Sequence, residues 1–207
     1  MKITLLGDSI RMQYENRVRE LLGEDFEVYS PSENCRFAKY TLRGLFDWKG
    51  KMEGSRIVHW NNGLWDICDL FGDGLFSSEE EFLSNILRIA DILTERYDTV
   101  IFATMTPVSD KNIYNKNSDI ERYNDLVVPK LCERGIIIND LYALINSDRD
   151  RYISEDNIHM TEEGIEACAK QVADVIRLAA QSLPEKEEKD ELPSAPEAEG
   201  APVIFDN

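Results

Sequence analysis

A serine near the start of the chain lies at a predicted sharp turn and is a candidate nucleophile. Ser9 follows the apolar run Ile3–Gly7 in the sequence Gly7-Asp8-Ser9-Ile10. At a turn from a strand into a helix its hydroxyl would be exposed at the sheet edge. Its backbone N–H would lie at a helix N-terminus, where negative charge is favoured. A serine in this place can also be a simple helix N-cap. A nucleophilic role is favoured over a capping role only if a base lies nearby to take the proton of the hydroxyl.

The chain contains two histidines that could take the proton of such a serine. His59 lies inside an apolar run, which is typical of a buried core histidine. His159 lies in a polar segment, and Asp156 three residues earlier could hold its ring in one tautomer while the other nitrogen faces Ser9. Ser9, His159 and Asp156 are therefore a candidate catalytic triad, and a solvated loop pair is the alternative interpretation of Asp156 and His159.

Acyl transfer also requires hydrogen-bond donors where the carbonyl oxygen gains negative charge. Asn61 and Asn62 follow the apolar run Ile57–Trp60, and either side-chain amide could serve. The backbone amide of Ser9 and another from the loop after the second strand would complete the set. Asn-Asn-Gly is also a common turn signal, so a structural role is the alternative.

The surrounding pattern predicts how these residues are brought together. Short apolar runs rich in β-branched residues alternate with amphipathic stretches, which indicates a parallel sheet covered by helices. In open α/β sheets the ligand crevice lies at the carboxyl ends of the strands, where the candidate residues stand. The predicted strands are Ile3–Gly7, Phe26–Tyr29, Ile57–Trp60, Thr99–Thr104 and Ile136–Ile138.

Three helices are predicted after the third strand. One follows the Ser77-Ser78 pair, which precedes Glu80 and Glu81 at capping-box spacing. Another runs from Ser118 toward Arg134 and is stopped by Gly135, with a kink at Pro129. The last is built on a buried stripe from Ile165 to Ala179.

Length and charge restrict the classes of function. The chain has 207 residues, 40 acidic against 23 basic side chains and a net charge of −17, which is typical of one globular domain. Such an acidic balance disfavours binding to nucleic acid or to anionic membranes. The four cysteines are dispersed and the chain has no Cys/His cluster, which disfavours a zinc site. The sequence thus predicts a cytoplasmic protein with reduced thiols and a small-molecule or carbohydrate partner.

Residues 184–207 differ in composition from the rest. They contain four of the seven prolines and eight acidic residues against two basic ones. This segment lacks the apolar content that offsets the entropy of ordering. We expect a folded domain at 1–183 followed by an acidic disordered tail at 184–207.

Taken together and in this order, the candidate residues resemble the SGNH hydrolases, also called GDSL-type esterases. Gly7-Asp8-Ser9-Ile10 is similar to the first block of that family, and Asp156-Asn157-Ile158-His159-Met160-Thr161 is similar to its last block. Residues 120–124 and 138–142 also resemble family segments, so the resemblance extends over about residues 2–180. It implies a three-layer α/β/α sandwich with a five-stranded parallel sheet of flavodoxin-like arrangement.

The resemblance implies a serine esterase that works through an acyl-enzyme and needs neither metal nor organic cofactor. Ser9 would be the nucleophile, His159 the base and Asp156 the residue that orients it. The implied substrates are short acyl esters, including O-acetyl groups on carbohydrates, or thioesters. A non-catalytic module that binds a glycan or small ligand is the main alternative, and a metallophosphoesterase is a weaker one because two histidines cannot fill its usual ligand set.

Two blocks depart from the family pattern. The third block of the family is usually Gly-x-Asn-Asp, whereas this chain has Asn61-Asn62-Gly63. If Asn62 replaces the family's aspartate, Asn61 matches the asparagine that donates to the oxyanion. If the alignment is shifted by one residue, Asn62 matches that asparagine instead. In the second block, Asn34 and Thr41 align with an asparagine and a threonine of the family. This alignment puts Lys39 where the family has a glycine that donates its backbone N–H. Gly44 is the other candidate for this donor, although it is expected inside the next helix.

Removal of residues 184–207 should leave enzymatic turnover and melting temperature almost unchanged, because a segment with so little apolar content buries little surface. The measurement is a thermal melt and an esterase assay on the full and shortened chains. A fall of several degrees would mean that the segment docks on the domain.

Overall fold

The computed structural model describes residues 1–184 of the chain. The predicted domain at 1–183 falls within this range. The predicted disorder of the tail lies outside the described residues, apart from Pro184.

A five-stranded parallel sheet forms the centre of the fold. The strands are β1 (Lys2–Leu6), β2 (Glu27–Tyr29), β3 (Ile57–Trp60), β4 (Thr99–Ala103) and β5 (Ile137–Asn139). Their order in the sheet is β2-β1-β3-β4-β5, which confirms the predicted architecture and the flavodoxin-like order. The strand ends differ from the prediction by one residue at most; β2, for example, starts one residue late because Phe26 closes a 3₁₀ turn at Gly23–Asp25.

Helices cover both faces of the sheet. The helices are α1 (Ser9–Leu22), α2 (Ala38–Met52), α3 (Glu79–Arg96), α4 (Asn117–Cys132), α5 (Leu141–Asn146), α6 (Arg149–Tyr152) and α7 (Glu162–Gln181). Helices α1 and α7 pack together on one face, while α2, α3 and α4 pack side by side. The central strands are buried on both faces, as their continuous apolar sequence requires. The two short helices α5 and α6 were not predicted.

Polar caps determine where the helices that carry the site begin. Asp8 caps α1, since its Oδ1 accepts the backbone N–H of Ile10 at 3.0 Å. Thr161 caps α7 through the N–H of Gly164, which places His159 just before that helix. Because Asp8 is the cap of α1, the hydroxyl of Ser9 is free for another partner.

The other predicted helix signals agree with the structure. Ser78 and Glu81 form a capping box at the start of α3. Helix α4 contains Pro129 and ends at Cys132, two residues earlier than Arg134. Gly44 lies inside α2, packed so closely on Trp48 that a Cβ would come within 2.3 Å of its ring.

The side chains of β3 and its extension point alternately to the two faces of the sheet. His59 lies against Tyr14 of α1, and Asn61, two residues on, lies on that same face. Trp60 packs on Phe102 on the opposite face, where Asn62 follows. The two adjacent asparagines therefore have different surroundings.

Within residues 1–184, no helix combines the length and apolar character needed to cross a bilayer. In the same range no group of three or more His, Cys, Asp or Glu side chains is arranged to hold a metal ion. All four cysteines are free thiols, and only Cys132 is exposed.

Candidate active site

Ser9, His159 and Asp156 form a continuous hydrogen-bonded chain at the carboxyl edge of the sheet. His159 Nδ1 donates to Asp156 Oδ2 at 2.7 Å. This bond leaves Nε2 as the acceptor of the ring, and the Ser9 hydroxyl lies 2.8 Å from it. Ser9 and His159 are 150 positions apart along the chain. The hydrogen bonds link the three side chains in the order serine, histidine and carboxylate, which is the order that a nucleophile, its base and an orienting carboxylate require.

The Asp156 carboxylate is held by four hydrogen bonds. Besides the ring of His159, it accepts the backbone N–H groups of Ile158 and His159 and the hydroxyl of Ser154, all on Oδ1 at 2.9–3.0 Å. Partial burial raises the pKa of this carboxyl, but these bonds outweigh it and hold the pKa well below its ordinary value. Asp156 therefore stays ionised and keeps the ring of His159 in one orientation.

Asn61 stands on the same side of the sheet as Ser9. Its side chain is nearly buried, and Nδ2 donates one N–H to Asp8 Oδ1 at 3.0 Å. An amide nitrogen carries two hydrogens, so one donor remains for a ligand. Burial raises the pKa of Asp8, while its hydrogen bonds with Asn61 and Ile10 oppose that shift.

Both the oxygen and the nitrogen of the Asn62 side chain have partners within the fold. Its Oδ1 accepts Trp60 Nε1 and its Nδ2 donates to the carbonyl of Arg36, both at 2.8 Å. The side chain thus ties the end of β3 to the loop before α2. The contacts of Asn62 are those of a structural residue.

The backbone N–H of Lys39 lies in the first turn of α2, where N–H groups have no partner within the helix. The neighbouring amides are occupied: Ala38 donates to Asp66 Oδ2 at 2.9 Å, and Tyr40 and Thr41 donate to the carbonyl of Phe37. For Lys39 no acceptor is present among the described residues. Its N–H is a free donor, while its side chain is exposed to solvent.

Sequence reasoning missed Arg11, which holds the loop between β2 and α2. Arg11 is completely buried, pairs with Glu15 and donates to the carbonyls of Gly7, Pro31 and Glu33 at 2.7–3.3 Å. The available signal was its position on the buried stripe of α1, four residues before Glu15 and seven before Val18. An arginine on such a stripe must bond to polar groups inside the fold.

Asp66 was also missed as a positioning residue. Its carboxylate accepts hydrogen bonds from the backbone N–H of Ala38 and from the hydroxyl of Ser77. Asp66 thereby joins the start of α2 to the loop before α3. Burial raises the pKa of Asp66 to about 6 against these hydrogen bonds. No local pattern indicates this role, because both partners are distant in sequence.

His59 is separate from the triad. It is completely buried, and Asn139 Nδ2 lies 3.0 Å from its Nε2. Burial lowers the pKa of the ring to about 3, so His59 is a neutral core residue. The interpretation of His59 as a core histidine agrees with these contacts.

A cavity of about 350 Å³ opens beside Ser9. Its walls come from the loops that follow β3 and β4. The lining residues are Ser9, Leu64, Trp65, Cys68, Leu70, Asn112, Tyr114, Asn115, Asp156, Ile158 and His159.

Solved structures with the same fold include several described as esterases. A lipase/acylhydrolase from Enterococcus faecalis aligns with a TM-score of 0.72 over 86% of this chain and 96% of that one, at 18% identity. A member of the lipolytic protein G-D-S-L family from Veillonella parvula aligns with a TM-score of 0.70 over 86% and 98%, at 16% identity.

An acetylxylan esterase from Geobacillus stearothermophilus aligns with a TM-score of 0.66 over 91% of this chain and 97% of that one, at 13% identity. No family model and no curated protein matches the sequence. The chain therefore shares the α/β fold of the GDSL-type hydrolases, at identities that establish the fold alone.

The buried neutral state of His59 makes stability depend on pH. Its pKa of about 3 in the folded chain is below the ~6.5 of an unfolded histidine, so unfolding takes up a proton between these values and stability falls with acid. Relative to His59→Gln, the wild type should lose roughly 1.4 kcal/mol per pH unit below about pH 6. Urea unfolding of both proteins at several pH values measures the difference, and parallel curves would contradict it.

Proposed function

We propose that this protein is a serine esterase that hydrolyses short acyl esters through an acyl-enzyme. The observation that carries the proposal is the hydrogen-bonded chain from Ser9 Oγ to His159 Nε2 and from His159 Nδ1 to Asp156. Serine becomes a useful nucleophile only when a base takes its proton. The shared fold with proteins described as lipase/acylhydrolases and acetylxylan esterases supports the same chemistry.

In the proposed reaction Ser9 Oγ attacks the ester carbonyl while His159 Nε2 takes its proton. The ionised Asp156 stabilises the imidazolium that forms. His159 then gives the proton to the departing alcohol, which leaves Ser9 acylated. Water, activated by the same nitrogen, attacks the acyl-enzyme, and the carboxylic acid and free Ser9 are regenerated.

Three donors are proposed for the oxyanion of the tetrahedral intermediate. They are the backbone N–H of Ser9 at the start of α1, the backbone N–H of Lys39 at the start of α2 and the second N–H of Asn61 Nδ2. Each lacks another acceptor or has a hydrogen to spare. Two of the three come from helix N-termini, where the partial positive charge of the helix favours an anion.

The O-acetyl group of a carbohydrate is one candidate substrate, since two solved structures of this fold are described as acetylxylan esterases. A non-catalytic module that binds a glycan or small ligand in the same crevice is the alternative. The alternative would be favoured if a well-folded protein failed to react at Ser9. No metal or organic cofactor enters the proposed reaction.

A fluorophosphonate should label Ser9 and no other serine, because among the serines of residues 1–184 only Ser9 has both a base and free donors beside it. Labelling should be lost in Ser9→Ala and nearly lost in His159→Ala, as seen by intact mass and peptide mapping. Ser118→Ala, which changes an exposed serine at the start of α4, is the matched control. If Ser9→Ala were still labelled, the esterase proposal would be rejected.

The two asparagines should differ in kinetics. Asn61→Ala should lower kcat by roughly 10²–10³-fold with little change in KM, because an oxyanion donor acts mainly in the transition state. Asn62→Ala should act mainly on the melting temperature, since it removes the partners of Trp60 and of the Arg36 carbonyl. A large turnover loss in a stable Asn62→Ala and a mild one in Asn61→Ala would transfer the role to Asn62.

A further inference from the structure

The cavity beside Ser9 is walled by two loops that are held together as one unit. The backbone N–H of Asp69 donates to the carbonyl of Tyr114 at 2.8 Å. Asn115 Nδ2 donates to the carbonyl of Leu64 at 2.9 Å. These bonds join the loop after β3 to the loop after β4, so the shape of the cavity is formed before a ligand arrives.

The polar side chains of the walls already serve the loops themselves. Asn112 Oδ1 accepts the backbone N–H groups of Tyr114 and Asn115 at 2.8–2.9 Å, and its Nδ2 donates to the carbonyl of Asn157 at 3.3 Å. The thiol of Cys68 contacts the carbonyl of Trp65 at 3.1 Å. Asn112 and Cys68 are thus committed to the loops, and a sugar hydroxyl left unpaired beside them would be costly to bury.

The surface that the walls offer to a ligand is mostly apolar, and its polar atoms include the Tyr114 hydroxyl and the Trp65 indole N–H. Trp65, Leu70 and Tyr114 line the cavity and keep 40%, 46% and 47% of their surface exposed. Exposed apolar side chains grouped around a cavity are typical of a ligand site. Neither lysine nor arginine lines the cavity, and its one carboxylate is the Asp156 bound to His159, which disfavours an anionic ligand.

The position of the cavity relative to the triad identifies the half of the ester that it receives. His159 Nε2 must return its proton to the leaving oxygen, so the alcohol lies on the His159 side of Ser9. His159 and Asp156 both line the cavity, whereas the proposed oxyanion donors Lys39 and Asn61 do not. The cavity is therefore on the alcohol side of the scissile bond.

We infer that this cavity binds the alcohol part of the ester, and that it selects an uncharged apolar alcohol, alkyl or benzylic, over a sugar. The inference rests on the proposed function and narrows its substrate class. Burial of each methylene in such a site stabilises the transition state enough to raise kcat/KM by about fourfold. Selectivity should thus grow with the length of the alcohol and not with the length of the acyl group.

The test compares hexyl acetate with ethyl hexanoate on the full-length protein. These esters are isomers with leaving alcohols of similar acidity, and they differ in which side carries the long chain. We expect kcat/KM to be at least tenfold higher for hexyl acetate, and benzyl acetate to exceed an acetylated xylo-oligosaccharide. Equal rates for the isomers, preference for ethyl hexanoate, or preference for the acetylated sugar would overturn the inference.

Two neighbouring residues supply matched variants. Leu70→Ala should reduce the ratio of kcat/KM for hexyl acetate to that for ethyl acetate by several-fold, since Leu70 lines the cavity. Phe71→Ala changes the next residue, which is 81% exposed and lies outside the lining, and should keep the wild-type ratio. A Leu70→Ala ratio equal to that of the wild type would count against the inference.

Failure of the inference and failure of the proposed function give different results. If Ser9 is labelled by a fluorophosphonate and esters are hydrolysed without alcohol selectivity, only the inference is overturned. If no ester is hydrolysed and Ser9 is not labelled in the folded protein, both are overturned. Labelling together with selectivity for hexyl acetate that Leu70→Ala reduces supports both.

Discussion

The close approach of the ends of β1 and β3 is the constraint on which the candidate site depends. Asn61 lies against Gly7, where a Cβ would come within 1.9 Å of its Oδ1, so only glycine permits the contact. The adjacent Asp8 then receives the Asn61 amide and caps α1. One contact thereby sets the start of the helix, the position of Ser9 and the direction of the Asn61 side chain. The contact lies between β1 and β3, where the strand order reverses. Ligand crevices in this class of fold occur at that point.

Buried polar side chains hold the irregular segments around this point. Arg11 binds the carbonyls of Pro31 and Glu33, and Asp66 binds the first amide of α2. Neither could be buried at tolerable cost without such partners. Because each has them, the loop from β2 to α2 is held from both ends, and the free N–H of Lys39 keeps a defined position. Preorganised donors of this kind do not have to be reoriented during a reaction.

The site divides into a polar frame and apolar walls. The triad and the proposed oxyanion donors come from strand ends, helix starts and the short turn before α7. The walls come from loops 63–76 and 109–116, whose tips expose apolar side chains such as Phe71 and Ile113. In the proposed esterase, chemistry and selectivity would therefore reside on different parts of the chain, and changes in the loops would alter the substrate while the frame keeps its geometry.

Local patterns in the sequence were sufficient for the elements of the fold. Apolar runs of strand length, the Ser78–Glu81 capping box and the position of Gly7-Asp8-Ser9 depend on neighbouring residues, so five strands and the main helices were predictable. The boundaries moved by a residue or two, as at Phe26, where hydrogen bonding to a turn competed with the strand. The short α5 and α6 carry too few residues to show a helical period.

What the sequence by itself determined is the parallel sheet and the gathering of Ser9, Asp156 and His159 at one edge. Ser9 follows the end of a strand, Asp156 and His159 precede the last helix, and both kinds of segment are expected at the carboxyl edge of such a sheet. Only the tertiary structure decided the surroundings of Asn61 and Asn62, since a shift of one residue reverses the face of a strand. The tertiary structure alone also brought the loop with Tyr114 beside Ser9 and gave Arg11 its carbonyl partners. Such contacts join residues far apart in sequence, and their geometry is determined by packing that no local pattern encodes.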